Sequence, residues 1–314
     1  MAPEAARRLR TWVVVLAVVC AGLVAPTLAP FDPRQVSGQA LQAPGPTHWL
    51  GTNDIAQDVL SQWLWAARAS VSIALAVAAV SSALAWGVGL VAGLSARAEG
   101  WLMAFTDLLL ALPGLPLYVL VLTLIGPSQT HVAILLGLLS WPAFARVVRA
   151  LVITVRTAPY IEAVRCLGGT WPRVAFQHVL PATLDLLPAH LVLTVRFAVF
   201  AEATLAFLGL GDSAAVSWGT LLGWAFVNPL LFTTPAWTWL VLPPALGIAL
   251  LILLAGWAGA RFEAPSVGQR RGVEPAPSTR YVVLQRPDTA GTRLGSVATT
   301  SPAASRLPAT LRGK

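Results

Sequence analysis

Six stretches of mostly apolar residues follow one another along the 314-residue chain, separated by shorter polar connections. Each holds about 20 residues, the length that an α-helix needs to cross the hydrocarbon core of a bilayer. The pattern predicts an all-α integral membrane protein with six transmembrane helices. The predicted spans cover residues 11–28, 66–94, 101–125, 132–151, 183–208 and 236–257.

The composition excludes a water-soluble protein of this size. Hydrophobic residues make up 56% of the chain and charged residues 11%, whereas soluble domains carry about 25% charged residues. The mean hydropathy of +0.72 agrees. So few charges cannot cover the surface of a soluble protein, so lipid must be the main solvent.

The arginines predict the orientation. Of the 21 basic residues, 20 are Arg, and the single Lys is Lys314. Six spans would place 18 of the basic residues on one side of the membrane. The other side would carry only Arg34 and Arg68, together with four Asp. Basic residues collect on the cytoplasmic side, so both termini are expected there. The net charge of +8 then marks a membrane side and does not indicate a nucleic-acid partner.

The same topology divides the chain into parts. Residues 1–10 form a cytoplasmic tip, and residues 11–260 form the six-span domain. Within that domain, residues 29–65 are external and residues 152–182 form a cytoplasmic loop. Residues 261–314 are rich in Pro, Ser, Thr, Ala and Arg without apolar periodicity, which predicts a disordered, basic cytoplasmic tail.

The cytoplasmic loop 152–182 carries the most informative pattern. Residues 158–167 have apolar positions at helical spacing, and Gly168–Gly169 breaks that helix. A second short helix is expected to begin after Thr170 as N-cap, and Pro181 is expected to separate it from span five. The two short helices could form a rigid docking surface for a partner protein, or they could lie on the lipid surface as amphipathic helices. The predicted apolar side comprises Ile161, Ala163, Val164 and Leu167.

This loop resembles the "EAA" coupling loop of binding-protein-dependent ABC importer permeases. That pattern runs Glu-Ala-Ala, three residues, Gly, then nine residues to His-x-Leu-Pro. The chain departs from it at Val164, where Ala is usual. The resemblance favours the docking surface for a partner protein. The matched positions are Glu162, Ala163, Gly168, His178, Leu180 and Pro181.

The external segment is similar to that of the C-type subunit of dipeptide and oligopeptide permeases. Residues 48–54 and 58–61 match its usual pattern Leu-Gly-Thr-Asp-x-x-Gly-Arg-Asp-Val-Leu-Ser. Asn53, Ala56 and Gln57 depart from it, so the turn chemistry is expected to differ. Further matches cover much of residues 10–260. They are Asp107, Leu112-Pro113, Trp141-Pro142, Arg146, Ala201-Glu202-Ala203, residues 207–211 and Ser217-Trp218-Gly219.

The resemblance implies a type I ABC importer permease fold in a bacterial or archaeal plasma membrane. It implies three kinds of protein partner: a homologous second permease subunit, two cytoplasmic ATPase subunits and an external solute-binding protein. The chain itself would be embedded in membrane lipid. The ATPase-coupling residues are then expected to be Glu162, Ala163, Arg165, Leu167, Gly168, His178, Leu180 and Pro181.

The chain is not expected to bind ATP itself. A Walker A loop requires a Lys after its glycines to reach the phosphates, and the only Lys ends the chain. ATP and Mg²⁺ are therefore assigned to partner subunits, with no cofactor and no catalytic residue in this chain. The four His are dispersed without zinc-site spacing, so no metal site is predicted.

Three ionisable residues inside the spans are candidates for the solute pathway: Asp107, Arg196 and Glu202. Ionisable groups in spans are costly and usually face the bundle interior. Arg196 lies near the centre of span five. It is expected either to meet an anionic group such as a peptide carboxylate in the pathway, or to pair with an acid on another span or on the second subunit.

The leading hypothesis is a permease subunit importing di- or oligopeptides. The same machinery could import nickel or another small solute. Two other classes stay open: an ATPase-independent secondary transporter or channel, and a membrane scaffold that recruits a cytoplasmic partner through residues 158–181.

Overall fold

The computed structural model describes residues 2–212 and 215–262, with side chains over residues 9–212 and 215–261. This part of the chain is helical apart from connecting turns and two isolated β-bridges in the external segment. The predicted tail 261–314 lies outside the described residues from position 263 onward. The all-α fold class is confirmed.

Four helical stretches are each long and apolar enough to cross a membrane. Two further pairs of helices pass the same criterion only if each bent pair counts as one span. The described part therefore supports between four and six spans. The four are Leu9–Leu28, Val59–Leu94, Leu187–Leu210 and Trp237–Arg261.

The helices of the described residues are numbered in chain order. The bounds are α1 Ala2–Val24, α2 Val59–Leu94, α3 Ala96–Ala111, α4 Gly114–Ile125, α5 Gln129–Ser140, α6 Pro142–Arg156, α7 Pro159–Cys166, α8 Trp171–Val174, α9 Leu180–Leu184, α10 Leu187–Leu205, α11 Trp218–Val227, α12 Trp237–Leu240 and α13 Leu242–Phe262.

The predicted span 101–125 is not one continuous helix. It consists of α3 and α4, whose axes are bent by 86° at Leu112-Pro113. Proline drives the preceding residue out of the helical region, and Leu112 is extended at φ −76° and ψ 136°. The predicted span 132–151 bends more gently, by 40°, where Trp141-Pro142 joins α5 to α6.

Helix α2 is the centre of the bundle. It packs most extensively against α6, α10 and α5. It begins at Val59, seven residues before the predicted span, because Asp58 accepts the backbone N–H of Ser61 and caps the helix. Its 36 residues extend about 54 Å at 1.5 Å per residue. A hydrocarbon core is about 30 Å thick, so α2 projects beyond it.

The close packing of α2 on α6 depends on two glycines. A Cβ at Gly89 would lie 2.7 Å from the Val148 side chain, and one at Gly93 would lie 2.4 Å from that of Val152. The GxxxG spacing in α2 is thus a helix-packing site.

An amide network holds the turn of the external segment. Asn53 accepts the backbone N–H groups of Ile55 and Gln57, at 3.1 and 2.8 Å. The Gln62 amide donates to the Gln57 side chain at 2.6 Å. Ala56 occupies the left-handed region at φ +63°, where the related pattern has Gly. The three departures from the pattern, Asn53, Ala56 and Gln57, thus lie together in one turn.

Candidate functional site

The cytoplasmic loop 152–182 folds into short helices at defined angles. Helix α7 begins at Pro159 and ends at Cys166. Gly168 then adopts φ +87°, which L residues with a Cβ rarely adopt. The backbone N–H of Gly169 closes the turn by donating to the carbonyl of Val164 at 3.0 Å. The predicted break at Gly168 is confirmed.

The second helix begins after Thr170 as predicted, but it does not end where predicted. Thr170 has the N-cap conformation, but its side chain makes no capping hydrogen bond. Pro181 does not end the helix: α8 continues through a π-helical turn at Ala175–Val179 into α9. The wider turn accommodates a proline that cannot donate to the preceding turn. The break comes after α9, at residues 185–186.

One face of the loop is buried against the bundle. Ile161, Val174 and Val179 are fully buried. They belong to one apolar cluster with Val148 and Val152 of α6. The short helices and α6 therefore share one close-packed apolar core, which leaves little free space between them.

The opposite face of the loop is open. Glu162, Ala163 and Arg165 are exposed, and the guanidinium of Arg165 lies 4.4 Å from the ring centre of Trp171. Leu167, predicted on the same side as Ile161, is 89% exposed. Six residues of helix rotate it about 120° away from Ile161.

The remaining predicted coupling residues lie where α8 leads into α9. The ring of His178 packs edge-on to Tyr160 of α7, with 6.5 Å between the ring centres. Leu180 is half-buried against the same apolar cluster as Ile161, and Pro181 is exposed. His178 and Leu180 thus hold the second helix to the first and to the bundle.

An aromatic cluster beneath the loop was not predicted from the sequence. Trp86 of α2 donates its indole N–H to the hydroxyl of Thr183 on α9 at 3.3 Å. His190 of α10 packs against Trp86 and Phe144, with ring centres 5.5 and 4.0 Å apart. The sequence feature that could have indicated such a cluster is the large number of Trp residues, 13 in the chain. These contacts connect α9, in which the loop ends, to α2 and α10.

The three pathway candidates do not contact one another. Asp107 of α3 forms an ion pair with Arg146 of α6. Glu202 is 4% exposed and accepts the Ser70 hydroxyl at 3.4 Å. Arg196 is exposed, and no carboxylate of the described residues lies within ion-pair distance of it. Pairing of Arg196 with an acid on another described span is therefore not observed.

Arg196 lies on an apolar helix face. Leu193, Phe197 and Phe200 are its exposed neighbours on α10. An arginine facing the lipid at the middle of a span is energetically costly. This face of α10 is thus suited to contact either another subunit or a water-filled pathway.

No metal centre is formed by the described part of the chain. Within it, no three side chains of His, Cys, Asp or Glu lie close enough together to hold an ion. The assignment of ATP and Mg²⁺ to separate subunits stays a prediction.

Comparison with known proteins identifies relatives over most of the chain. Residues 85–264 match the family model described as "Binding-protein-dependent transport system inner membrane component". A putative peptide permease protein of Brucella suis biovar 1 is 31% identical over 244 residues, 77% of this chain and 80% of that protein. The di/tripeptide transport system permease protein DppC of Pseudomonas aeruginosa is 34% identical over 254 residues, 78% and 82% of the two chains.

Proposed function

The chain belongs to the family of binding-protein-dependent transport system inner membrane components, and from this premise we propose that it is the permease subunit of an ATP-driven importer of di- and oligopeptides. It is a multi-pass membrane protein. The peptide assignment draws on relatives named as peptide permeases in two genera, which align over about four fifths of their length. The membrane is the bacterial or archaeal plasma membrane.

The single observation that carries the mechanism is the two-faced loop 152–182. Its inner face, with Ile161 and Val174, is locked into the bundle, and its outer face, with Leu167 and Arg165, is open. Two cytoplasmic ATPase subunits supply the energy, one of them docked on this outer face. Closure of the ATPase pair pushes the short helices, and the apolar cluster transmits the displacement to α6 and α2.

The other partners follow from the same arrangement. A homologous second permease subunit covers the face of α10 that carries Arg196, so that the solute passes between the two subunits. A solute-binding protein delivers the peptide to the external segment. Asp107 is held by Arg146, so we assign it to the α3–α6 contact and leave Arg196 and Glu202 as pathway candidates.

Transport by the complete complex in proteoliposomes tests this function. We expect labelled dipeptide to accumulate only when ATP, the ATPase subunits and the loaded binding protein are all present. Accumulation without the ATPase subunits would instead indicate a secondary transporter or channel. ATP-driven uptake of Ni²⁺ without uptake of peptide would support the proposed ABC importer but show that its solute is nickel.

The contribution of the open face can be measured separately. Leu167→Ala removes apolar surface equivalent to about 2 kcal/mol of binding, or about 30-fold in ATPase affinity. Leu124→Ala is the matched control, because Leu124 is also exposed but lies in the last turn of α4, outside the loop. Equal affinity for the ATPase in both variants would contradict docking on the loop.

A further inference from the structure

A cavity of about 390 Å³ opens beside the external segment. Its walls come from four parts of the chain that are distant in sequence: the segment before α2, the first turns of α2, the start of α5 and the connection before α11. Its volume lies within the range of small-molecule sites, about 300–1,000 Å³. The polar and aromatic side chains that line it are Asp32, Arg34, Trp65, Arg68, Ser72 and Gln129.

The cavity lies at the outer end of the subunit. Arg68 is only the tenth residue of α2, a helix about 24 Å longer than the hydrocarbon core is thick. The distribution of arginines places the start of α2 outside. Arg34 and Arg68 are the two basic residues assigned to this side, and both line the same cavity.

The backbone around the cavity is held in place. The Asp32 carboxylate accepts the backbone N–H of Arg34 at 2.9 Å, which fixes the turn that presents Arg34. On the opposite wall, the backbone N–H of Gln129 donates to the Asp212 carboxylate at 3.2 Å. The walls are therefore preorganised, which lowers the entropic cost of binding a ligand.

The charges change sign towards the interior. A much smaller pocket shares Gln129 and Ala215 with the cavity and contains Glu202. Glu202 is almost fully buried and accepts a hydrogen bond from Ser70. The cavity is thus lined by two arginines and one carboxylate, that of Asp32, whereas the adjoining pocket is lined by the carboxylates of Glu202 and Asp212. An arrangement of this polarity attracts the anionic end of a zwitterion to its mouth, since Arg binds carboxylates through paired hydrogen bonds.

We propose that this cavity is an outer binding site for the free C-terminal carboxylate of the transported peptide, with Arg68 and Arg34 as its ligands. This inference rests on the proposed function, because it assigns a substrate contact to a peptide importer. The site receives the peptide from the binding protein before it enters the membrane, and it favours peptides that end in a carboxylate over those that end in an amide.

Uptake by the complete transporter in proteoliposomes tests the site with two labelled tripeptides, one with a free C-terminus and one amidated. Both are supplied on saturating, preloaded binding protein, so that capture from solution does not limit the rate. We expect Arg68→Gln to lower uptake of the free peptide about tenfold, the value of one charge-assisted hydrogen bond, and to leave the amidated peptide unchanged. Arg68→Lys should restore part of the preference, and Arg97→Gln, at the cytoplasmic start of α3, should have no effect.

Three results would overturn the proposal. Wild-type transporter that takes up both peptides equally shows no carboxylate site. An equal loss for both peptides in Arg68→Gln, with more binding protein needed for half-maximal ATPase stimulation, assigns Arg68 to docking of the binding protein. Wild-type transporter that takes up neither peptide contradicts the proposed function itself, and the carboxylate site with it.

Discussion

The indole N–H of Trp86 in α2 donates to the hydroxyl of Thr183 in α9, across 3.3 Å and 97 positions of sequence. This bond joins α2, the central helix of the bundle, to α9, the helix in which the cytoplasmic loop ends. Both groups are buried, so the bond is shielded from water. It gives the loop a second connection to the spans, besides the apolar cluster around Ile161.

Thr183→Val should weaken this connection. The substitution preserves shape but leaves the Trp86 N–H buried without an acceptor, which costs about 1–3 kcal/mol. We expect a lower unfolding midpoint in detergent and less uptake per ATP hydrolysed. Thr123→Val is the control, because the Thr123 hydroxyl bonds only to carbonyls of its own helix. Equal effects of the two variants would show that the Trp86 contact has no particular role.

Gly93→Ala should separate α2 from α6. The new Cβ would lie 2.4 Å from the Val152 side chain, so the helices must move apart at a cost of about 1–3 kcal/mol. Gly87→Ala, in the same helix, meets nothing within 4 Å and gains about 1 kcal/mol from helix propensity. Thermal unfolding in detergent should move in opposite directions for the two variants. A higher midpoint for Gly93→Ala would contradict the packing described here.

Gly168→Ala should disturb the loop through its backbone alone. A Cβ there meets no neighbour, but the φ of +87° is unfavourable for alanine by about 1–2 kcal/mol. We expect reduced stimulation of the ATPases by loaded binding protein, with normal membrane insertion. Gly168→Asn should be milder, because Asn tolerates this region. Gly100→Ala, also free of neighbours, serves as control. Stimulation that is unchanged in Gly168→Ala would count against a required bend.

Ala56→Gly should stabilise the external segment. Ala56 has φ +63°, and glycine relieves that strain, offset in part by its greater entropy when unfolded. The net gain is expected to reach about 1 kcal/mol. Resistance of the external segment to limited proteolysis measures it. Faster cleavage of Ala56→Gly than of the wild type would contradict this description of the turn.

Arg196→Ala should lower peptide uptake by about tenfold or more, the value of one charge-assisted hydrogen bond, whether Arg196 contacts the peptide or an acid of the second permease subunit. Joint purification of the two permease subunits distinguishes these roles. Intact assembly with lost uptake indicates the pathway, and lost assembly indicates pairing. Uptake of every peptide at the wild-type rate would remove Arg196 from both roles. Arg97→Ala, at the start of α3 and outside the loop 152–182, controls for loss of a charge.

The sequence could predict features that depend on neighbouring residues. Apolar runs located the four continuous spans, and Gly168 located the bend of the loop, because helix length and positive φ are local properties. The 86° turn at Leu112-Pro113 has a local cause, but its size depends on the packing of α3 and α4. Leu167 was predicted on the apolar side with Ile161, but the rotation of the helix between the two residues turns Leu167 outward, and it is exposed.

Features formed by distant segments could not be predicted in this way. The ion pair between Asp107 and Arg146 joins two helices, and the outer cavity joins four parts of the chain. The hydrogen bond of Trp86 to Thr183 is of the same kind. Nothing in the local pattern of a membrane protein specifies which side chains meet across spans, since apolar residues face both lipid and core.

The native cysteines allow a direct test of the central claim, that the outer face of the loop 152–182 docks an ATPase subunit. Cys166 ends α7 beside Leu167, Cys20 lies in α1, and both are exposed. A photoreactive maleimide is attached to Cys166 in a Cys20→Ala background, and to Cys20 in a Cys166→Ala background, within the complete transporter. Mass spectrometry of the cross-linked products should find the ATPase subunit joined to Cys166 and not to Cys20. An ATPase absent from the Cys166 products, or equally present in both, would contradict the account.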